Sequence, residues 1–189
     1  MKKKIGASNV LYPTPTVLVG AVVDGRPNFI TIAHVGIVNA SPPHLITLGM
    51  GRAHHTDPGI REHGQFSVNV PGEALVVETD YCGIVSGKRV DKSTLFEVVY
   101  GALESAPMIE GCPLSMACRL ERVVEFATHD LFVGEVVETW ADESVLTDGV
   151  VDLAKVRPLL FDMSTRRYWS IGQAVAKCWH AGKALKERL

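Results

Sequence analysis

The sequence lacks the cysteine density and the long apolar runs that mark two large classes of protein. Its four cysteines are scattered along 189 residues without a C-x-x-C pair: Cys82, Cys112, Cys118 and Cys178. Because secreted disulfide scaffolds carry dense cysteine sets, we expect all four thiols to be reduced and the protein to be cytoplasmic. The chain shows neither a secretory h-region nor an apolar run of membrane-spanning length, so no membrane partner is expected.

An excess of charge of one sign is also lacking. Nineteen lysines and arginines stand against 21 acidic residues, which gives a formal net charge of -2. Such a chain has no strong field to attract a polyanion, so we expect no nucleic-acid partner. Apolar residues make up 47% and charged residues 21%, which is typical of a globular protein. We therefore predict a single domain over residues 1–189.

Several catalytic signatures are absent. The sequence contains no G-x-G-x-x-G after a strand, no Walker A loop, no H-E-x-x-H and no G-x-S-x-G. These absences exclude a Rossmann-type nicotinamide site, a P-loop, a zincin and an α/β-hydrolase nucleophile.

Strand signals dominate what is present. A β-branched run at 16–23 ends at Asp24-Gly25, and an apolar run resumes at 28–38, which predicts a hairpin. Further strands are predicted at the following positions: 44–50, 65–70, 116–127 and 131–140. Successive strands without long intervening helices indicate an antiparallel barrel.

Two helices and one irregular excursion complete the prediction. Residues 56–64 carry a hydroxyl at the start, Asp-Pro in the first turn and a terminal glycine, which predicts a short helix with Thr56 as its N-cap. Residues 171–189 space apolar side chains by three, four and seven, which predicts an amphipathic C-terminal helix packed on a surface. Residues 81–108 are the least regular and form a candidate lid.

The segment GRAHHT at 51–56 runs into the predicted short helix. The unpaired N–H groups at a helix start favour an anion, and Arg52 and Thr56 could both bond a phosphate. The same residues are also compatible with an ordinary helix cap and a solvated arginine. His54 and His55 lack a third ligand at a recognisable spacing, so no metal is expected.

The order and spacing of several segments resemble the flavin reductase-like, FMN-binding split-barrel family, and most closely the flavoredoxins. These segments are YPTPTVLVGAV at 12–22, PNFITIAHVGIV from Pro27, SPP at 41–43, RAHHT at 52–56, SGKRVDKS at 86–93, EGCPL at 110–114, HDLFVGEV at 129–136 and RPL at 157–159, followed by Arg166, Tyr168 and Ile171-Gly172. The resemblance implies a mainly β, six-stranded antiparallel split barrel with a Greek-key element, short peripheral helices and a C-terminal helix. It also implies a homodimer with one non-covalent FMN per subunit near the interface.

The resemblance further implies the cofactor contacts. The residues concerned are Asn28, Thr31, Ile32, Ala33, His34, Leu48, Gly49, Arg52, Thr56, Lys92, His129 and Phe161. Residues 28–34 would follow the ribityl chain and the isoalloxazine, Leu48 and Gly49 would border the ring, and Arg52 and Thr56 would hold the phosphate. Lys92 and His129 would make polar contacts, and Phe161 would close over the flavin.

His34 stands where flavoredoxins tend to carry tryptophan. An imidazole ring is smaller and titrates near neutrality, so stacking on the flavin would be weaker and the flavin potential could depend on pH.

The resemblance implies a flavoprotein oxidoreductase. Electrons would pass through FMN from transiently bound NAD(P)H or from a protein donor to an acceptor, and no protein acid or base would be strictly required. A non-enzymatic split barrel that stores or senses FMN, or that binds haem, would use the same anion loop. A pyridoxamine-phosphate oxidase-like enzyme shares the barrel and FMN, although the motif order favours the flavin reductases.

Overall fold

The computed structural model describes residues 1–186 and shows a mainly β architecture. The strands are β1 (Thr14–Pro15), β2 (Val17–Val23), β3 (Arg26–Ile32), β4 (Val35–Asn39), β5 (Leu45–Gly51), β6 (Gln65–Val70), β7 (Val98–Val99), β8 (Met108–Ile109), β9 (Leu114–Glu125), β10 (His129–Ala141), β11 (Leu146–Thr147), β12 (Val150–Val151), β13 (Leu160–Asp162) and β14 (Arg167–Trp169). The helices are α1 (Thr56–His63), α2 (Val76–Ile84), α3 (Leu153–Val156) and α4 (Lys183–Lys186), with 3-10 turns at Glu73–Leu75, Lys92–Leu95 and Glu143–Val145. None of these helices is long and apolar enough to span a bilayer.

Seven strands form one antiparallel sheet in the order β3-β2-β6-β9-β10-β5-β4. The two edge strands, β3 and β4, are consecutive in the sequence and are joined only by Ala33 and His34. A flat sheet of this width would hold its edges roughly 29 Å apart, whereas the link reaches only roughly 10 Å. The sheet must therefore curl into a barrel that is split between β3 and β4. The mainly β barrel expected from the resemblance is confirmed, but its main sheet has seven strands rather than six.

Local turn chemistry sets the hairpins. Val23 pairs with Arg26 across the predicted Asp24-Gly25 turn, whose residues have φ angles of 51° and 74°, as a type I′ turn requires. The predicted long hairpin is also confirmed as β9 and β10. The single strand predicted over 28–38 is wrong, because the chain leaves one sheet edge at Ile32 and enters the other at Val35.

Helix α1 packs closely against β2 and contributes a side chain to the core. A Cβ at Gly59 would overlap the carbonyl oxygen of Val22, so only glycine permits this close packing. Ile60 is fully buried among apolar side chains of the barrel interior, and Gly64, at φ 62°, ends the helix. This packing fixes the amino end of α1 beside β3.

A small sheet of β1, β13 and β14 lies near α2. The hairpin of β13 and β14 is attached to α2 by the Tyr168 hydroxyl, which donates to Asp80 Oδ1 at 3.1 Å. The irregular excursion predicted over 81–108 is only partly irregular, because it begins inside α2 and includes a 3-10 turn and β7.

The amphipathic helix predicted over 171–189 is wrong for the described residues. Residues 171–177 have no regular structure, helix occurs only at Lys183–Lys186, and residues 187–189 lie outside the described part. Val175 and Trp179 are 98% and 93% exposed. Amphipathic spacing stabilises a helix only when its apolar face is packed, and within residues 1–186 these two side chains remain exposed.

Candidate functional site

An elongated cleft runs between the edge of β3, the loop before α1, the end of α2 and the β13–β14 hairpin. It consists of two cavities of about 320 and 220 Å³. Both are lined by His54, Gly83 and Ile84, so the two cavities adjoin each other. We call the larger part the ring end and the smaller part the phosphate end, after the chemistry of their walls.

The ring end brings together seven of the residues predicted from the resemblance. They are Thr31, Ile32, Ala33, His34, Gly49, His129 and Phe161. Phe161 stands against Tyr168 with ring centroids 5.8 Å apart and against Tyr12 at 6.5 Å. The aromatic wall suits a flat ligand, because offset and edge contacts favour another ring.

Three histidine side chains lie close together at the ring end, beside a glycine. His34 and His129 have ring centroids 6.0 Å apart, and His54 lines the same cavity. A Cβ at Gly51 would lie 3.4 Å from the His54 ring and 3.8 Å from His129 Nε2. The pKa of His54 is lowered by burial and by the neighbouring His129 and Lys92. Burial first, and these two neighbours second, therefore favour the neutral form of His54.

The phosphate end is built from β3, α1 and the loop after α2. Asn28 Nδ2 donates to Thr56 Oγ1 at 2.7 Å, and both side chains are buried. Thr56 is the first residue of α1 and not its N-cap, which is His55 without a side-chain cap bond. Because the Thr56 oxygen accepts from Asn28, its own O–H remains available to donate to a ligand.

Lys92 places a buried cation at this end. It is 2% exposed, and its Nζ donates to the carbonyls of Cys82 at 3.0 Å and Val85 at 3.2 Å. Burial lowers its pKa, and no carboxylate forms an ion pair with it among residues 1–186. An ammonium has three donors, so one N–H and the uncompensated charge favour an anionic ligand.

Two residues predicted at the site lie elsewhere. Arg52 Nε donates to Asp130 Oδ1 at 2.9 Å, and Arg52 lines neither part of the cleft. Arg61 binds the other oxygen of Asp130 at 2.6 Å, so Arg52 belongs to an ion-pair network at the start of β10. Leu48 is fully buried in the barrel core, and only its neighbour Gly49 reaches the cleft. The phosphate role of Arg52 stays a prediction that this geometry does not favour.

Several lining residues were not predicted. His54 and Thr16 each carry a buried polar atom, Nδ1 and Oγ1, without a hydrogen-bond partner in the described chain. Gly83 brings the end of α2 against Thr31, where a Cβ would stand 3.3 Å from the threonine Cβ. Tyr168 belongs to a segment that carried the resemblance, and this was the one available signal for its role. A buried polar atom without a hydrogen-bond partner needs an explanation, and a ligand in the cleft would provide the missing partner.

The split antiparallel barrel carries a cleft with an aromatic wall at one end and a buried cation beside a helix start at the other, and this arrangement suits a ligand with a flat ring and an anionic group. The comparison with known proteins agrees: the chain belongs to the family described as "Flavin reductase like domain", which matches residues 9–170.

Solved structures of flavoredoxins are similar over almost the whole chain. That of Methanosarcina acetivorans is 42% identical, with a TM-score of 0.94, and the match covers 98% of this chain and 99% of that one. That of Desulfovibrio vulgaris (Miyazaki F) is 36% identical, with a TM-score of 0.90, covering 96% and 100%. An uncharacterized protein of Archaeoglobus fulgidus is 30% identical over 145 residues, or 76% of this chain and 80% of that protein.

Proposed function

We propose that this protein is a flavoprotein oxidoreductase that holds FMN non-covalently in the cleft and passes electrons from NAD(P)H or a protein donor to an acceptor. The observation that carries the proposal is the pairing of an aromatic ring end with the buried, uncompensated Lys92 at the phosphate end. A flavin mononucleotide has a flat ring at one end and a phosphate at the other, in the same order.

The cofactor would be held by three parts of the chain. The phosphate would lie between Lys92 Nζ, the Thr56 hydroxyl and the first N–H groups of α1. The ring would lie beside residues 31–34, with Phe161 on the hairpin side. The orphaned His54 Nδ1 and Thr16 Oγ1 provide polar groups in the same cavity. Bound FMN supplies hydride and single-electron chemistry, and the protein supplies binding, orientation and access.

Access to the ring end depends on the β13–β14 hairpin. Its attachment to α2 includes the bond from Tyr168 to Asp80, at an exposed position. Burial and this bond raise the pKa of Tyr168 to about 12, so the hydroxyl stays protonated and able to donate at neutral pH. A nicotinamide donor would bind transiently against the ring from this side.

We also propose a homodimer in the cytoplasm. An apolar groove of about 510 Å³ opens beside β4 and β5, lined by side chains that include Val35, Ile37, Val68 and Met116. Ile37 is 78% exposed. An apolar surface of this kind supports association with a second copy. The four free thiols are compatible with a reducing compartment.

Anaerobic absorbance spectroscopy of the FMN-loaded protein tests the electron path. NADH and then NADPH are added, followed by dithionite. Bleaching of the flavin bands within seconds of either nicotinamide supports a nicotinamide-linked oxidoreductase. Bands that persist until dithionite is added favour a protein donor. A chromophore that dithionite itself does not bleach contradicts the redox function and favours a storage or sensing protein.

A further inference from the structure

His54 lies where the two parts of the cleft meet. It lines both the ring end and the phosphate end, and the two other residues that do so, Gly83 and Ile84, carry no titratable side chain. In FMN the ribityl chain leaves the ring at N10, beside N1, and leads to the phosphate. A side chain at this junction would therefore face the N1 edge of a bound ring.

The imidazole of His54 has an unused polar atom. Its Nδ1 is buried without a hydrogen-bond partner in the described part of the chain. The backbone of His54 is bonded on both sides: its N–H donates to the Gly51 carbonyl at 3.0 Å, and its carbonyl accepts from the N–H of Asp57 at 3.3 Å. These bonds fix the residue just before α1, and the ring nitrogen is left for a ligand or a proton.

The groups around His54 favour its neutral form in the empty cleft. The titratable groups that act on it or line the same cavities are His34 after β3, His55 and Asp57 at the start of α1, Asp80 of α2, Lys92 of the 3-10 turn, His129 of β10 and Tyr168 of β14. Burial, His129 and Lys92, in that order, lower the pKa of His54, and Asp57 opposes them. Asp57 is itself paired with Arg61 at 2.7 Å, which limits its effect.

A bound and reduced flavin would reverse this balance. The phosphate would compensate the charge of Lys92, which otherwise disfavours a charge on His54. A hydride adds two electrons and one proton to the ring, so the ring becomes one unit more negative. An opposite charge within about 4–6 Å favours the protonated form of an imidazole, and the interaction is stronger in a cleft with little water. Both changes favour a proton on His54.

We propose that His54 takes up a proton from water when the bound flavin is reduced and so balances the charge of the reduced ring. The hydride leaves the C–H bond of a nicotinamide donor and forms the N5–H bond of the flavin, and the oxidised nicotinamide keeps the positive charge. His54 Nδ1 then binds one proton, so one proton is consumed per hydride. The imidazole releases it when the electrons pass to the acceptor. The proposal rests on the proposed function, because it assumes the flavin ring at the ring end.

The two other imidazoles at the ring end are less suited to this role. His34 and His129 are exposed, so water and salt screen them from the charge of the ring. Nδ1 of His129 is also 2.9 Å from the Thr128 hydroxyl. A Cβ at Gly51 would contact both His54 and His129, so the exposed His129 adjoins His54 and provides a route for the proton from solvent.

Nitrogen-15 NMR of the histidine side chains in the FMN-loaded protein tests the proposal. Spectra are recorded at about pH 7.5, where an imidazole with its ordinary pKa of about 6.5 is only about a tenth protonated. They are repeated after anaerobic reduction with dithionite. We expect the His54 signals to change from the neutral to the doubly protonated pattern, with about half or more of the imidazole protonated. A potentiometric titration should show about two protons taken up per two electrons in the parent and closer to one in His54→Gln.

Two variants identify the signal and control for the substitution. His54→Gln removes the titrating group, and its fold should be retained because the His54 ring nitrogen Nδ1 bonds no other group in residues 1–186. His63→Gln is the matched control, since His63 lies in the last turn of α1 and lines neither cavity of the cleft. The change on reduction should be absent in His54→Gln and present in His63→Gln. Equal melting temperatures show that both variants fold.

Three outcomes overturn the proposal. A His54 imidazole that stays neutral in the reduced protein refutes the proton uptake while leaving FMN binding and reduction intact. A protonation change that persists in His54→Gln and disappears in His34→Gln or His129→Gln assigns the proton to one of those residues. A chain that retains no FMN, or whose FMN dithionite does not reduce, refutes the proposed function together with the inference.

Discussion

Replacement of Lys92 by methionine tests the phosphate end most sharply. The substitution keeps an unbranched side chain but removes a charge that is 98% buried and bonded to two backbone carbonyls. A charged hydrogen bond contributes about 1.5–3 kcal/mol, so the Kd for FMN should rise roughly 10- to 150-fold. Riboflavin has the same ring and ribityl chain without the phosphate, so its Kd should change by less than about threefold.

The effect on folding should be smaller than the effect on binding. Loss of the bonds from the charged Lys92 to the carbonyls of Cys82 and Val85 costs about 1.5–3 kcal/mol each. Relief of the desolvation of a buried ammonium is worth several kcal/mol and offsets most of that loss. We therefore expect the free energy of unfolding of the apoprotein to change by no more than about 1–2 kcal/mol. A urea titration measures this free energy of unfolding before the binding constants are interpreted.

Fluorescence quenching of FMN and riboflavin by apoprotein provides both binding constants in one assay. Lys155→Met is the matched control, because Lys155 is exposed on α3 and lines no part of the cleft. Arg52→Ala is the informative contrast, because its guanidinium is held by Asp130, and its FMN loss should be smaller than that of Lys92→Met. If Lys92→Met weakens FMN and riboflavin by the same factor, or leaves FMN unchanged, Lys92 does not bind the phosphate.

Three further predictions concern other parts of the molecule. Phe161→Ala should weaken FMN and riboflavin equally, by about 0.5–1.5 kcal/mol from lost aromatic contact; a loss confined to FMN would contradict its place at the ring end. Burial alone would raise the pKa of Asp130, but its bonds to Arg52 and Arg61 outweigh burial and lower that pKa. The stabilisation is therefore present at neutral pH and lost as pH falls below about 4. The melting temperature of Asp130→Asn should be lower than that of the parent near pH 7 and approach it near pH 3. An equal difference in melting temperature at both pH values would refute the ion-pair network. Burial raises the pKa of Cys82 to about 11 and those of Cys112 and Cys118 to about 12. Iodoacetamide at about pH 8 should therefore leave these thiols unmodified until the protein is denatured. Alkylated Cys82, Cys112 or Cys118 in tryptic peptides of the native protein, detected by mass spectrometry, would contradict this prediction.

The parts of the fold that local chemistry determines could be predicted from the sequence. The Asp24-Gly25 hairpin follows from a dipeptide that readily adopts positive φ. Helix α1 follows from its first-turn residues and from Gly64. The break at Ala33–His34 could not be predicted, because periodicity does not reveal that β3 and β4 lie at opposite edges of a sheet.

The C-terminal segment shows the limit of amphipathic spacing. The pattern identifies an apolar face but not a surface against which it packs, and Trp179 and Val175 are exposed in the part of the chain that the structure describes. Tertiary packing decides whether such a segment is helical.

The prediction of the candidate site depended more on the family resemblance than on local sequence patterns. Asn28, Thr56 and Lys92 come from three elements, and only the fold brings them together. Arg52 looked like a phosphate ligand because its ion-pair partner, Asp130, lies 78 residues away in the sequence. The uncompensated charge of Lys92 became visible only when its burial and its partners were known.

The most direct test of the central claim is flavin retention by the purified chain. The protein is mixed with excess FMN and passed through a desalting column, and the flavin absorbance of the protein fraction is measured against the protein concentration. We expect about one FMN per chain in the parent and much less in Lys92→Met. Elution of the parent protein without flavin would contradict FMN binding in the cleft.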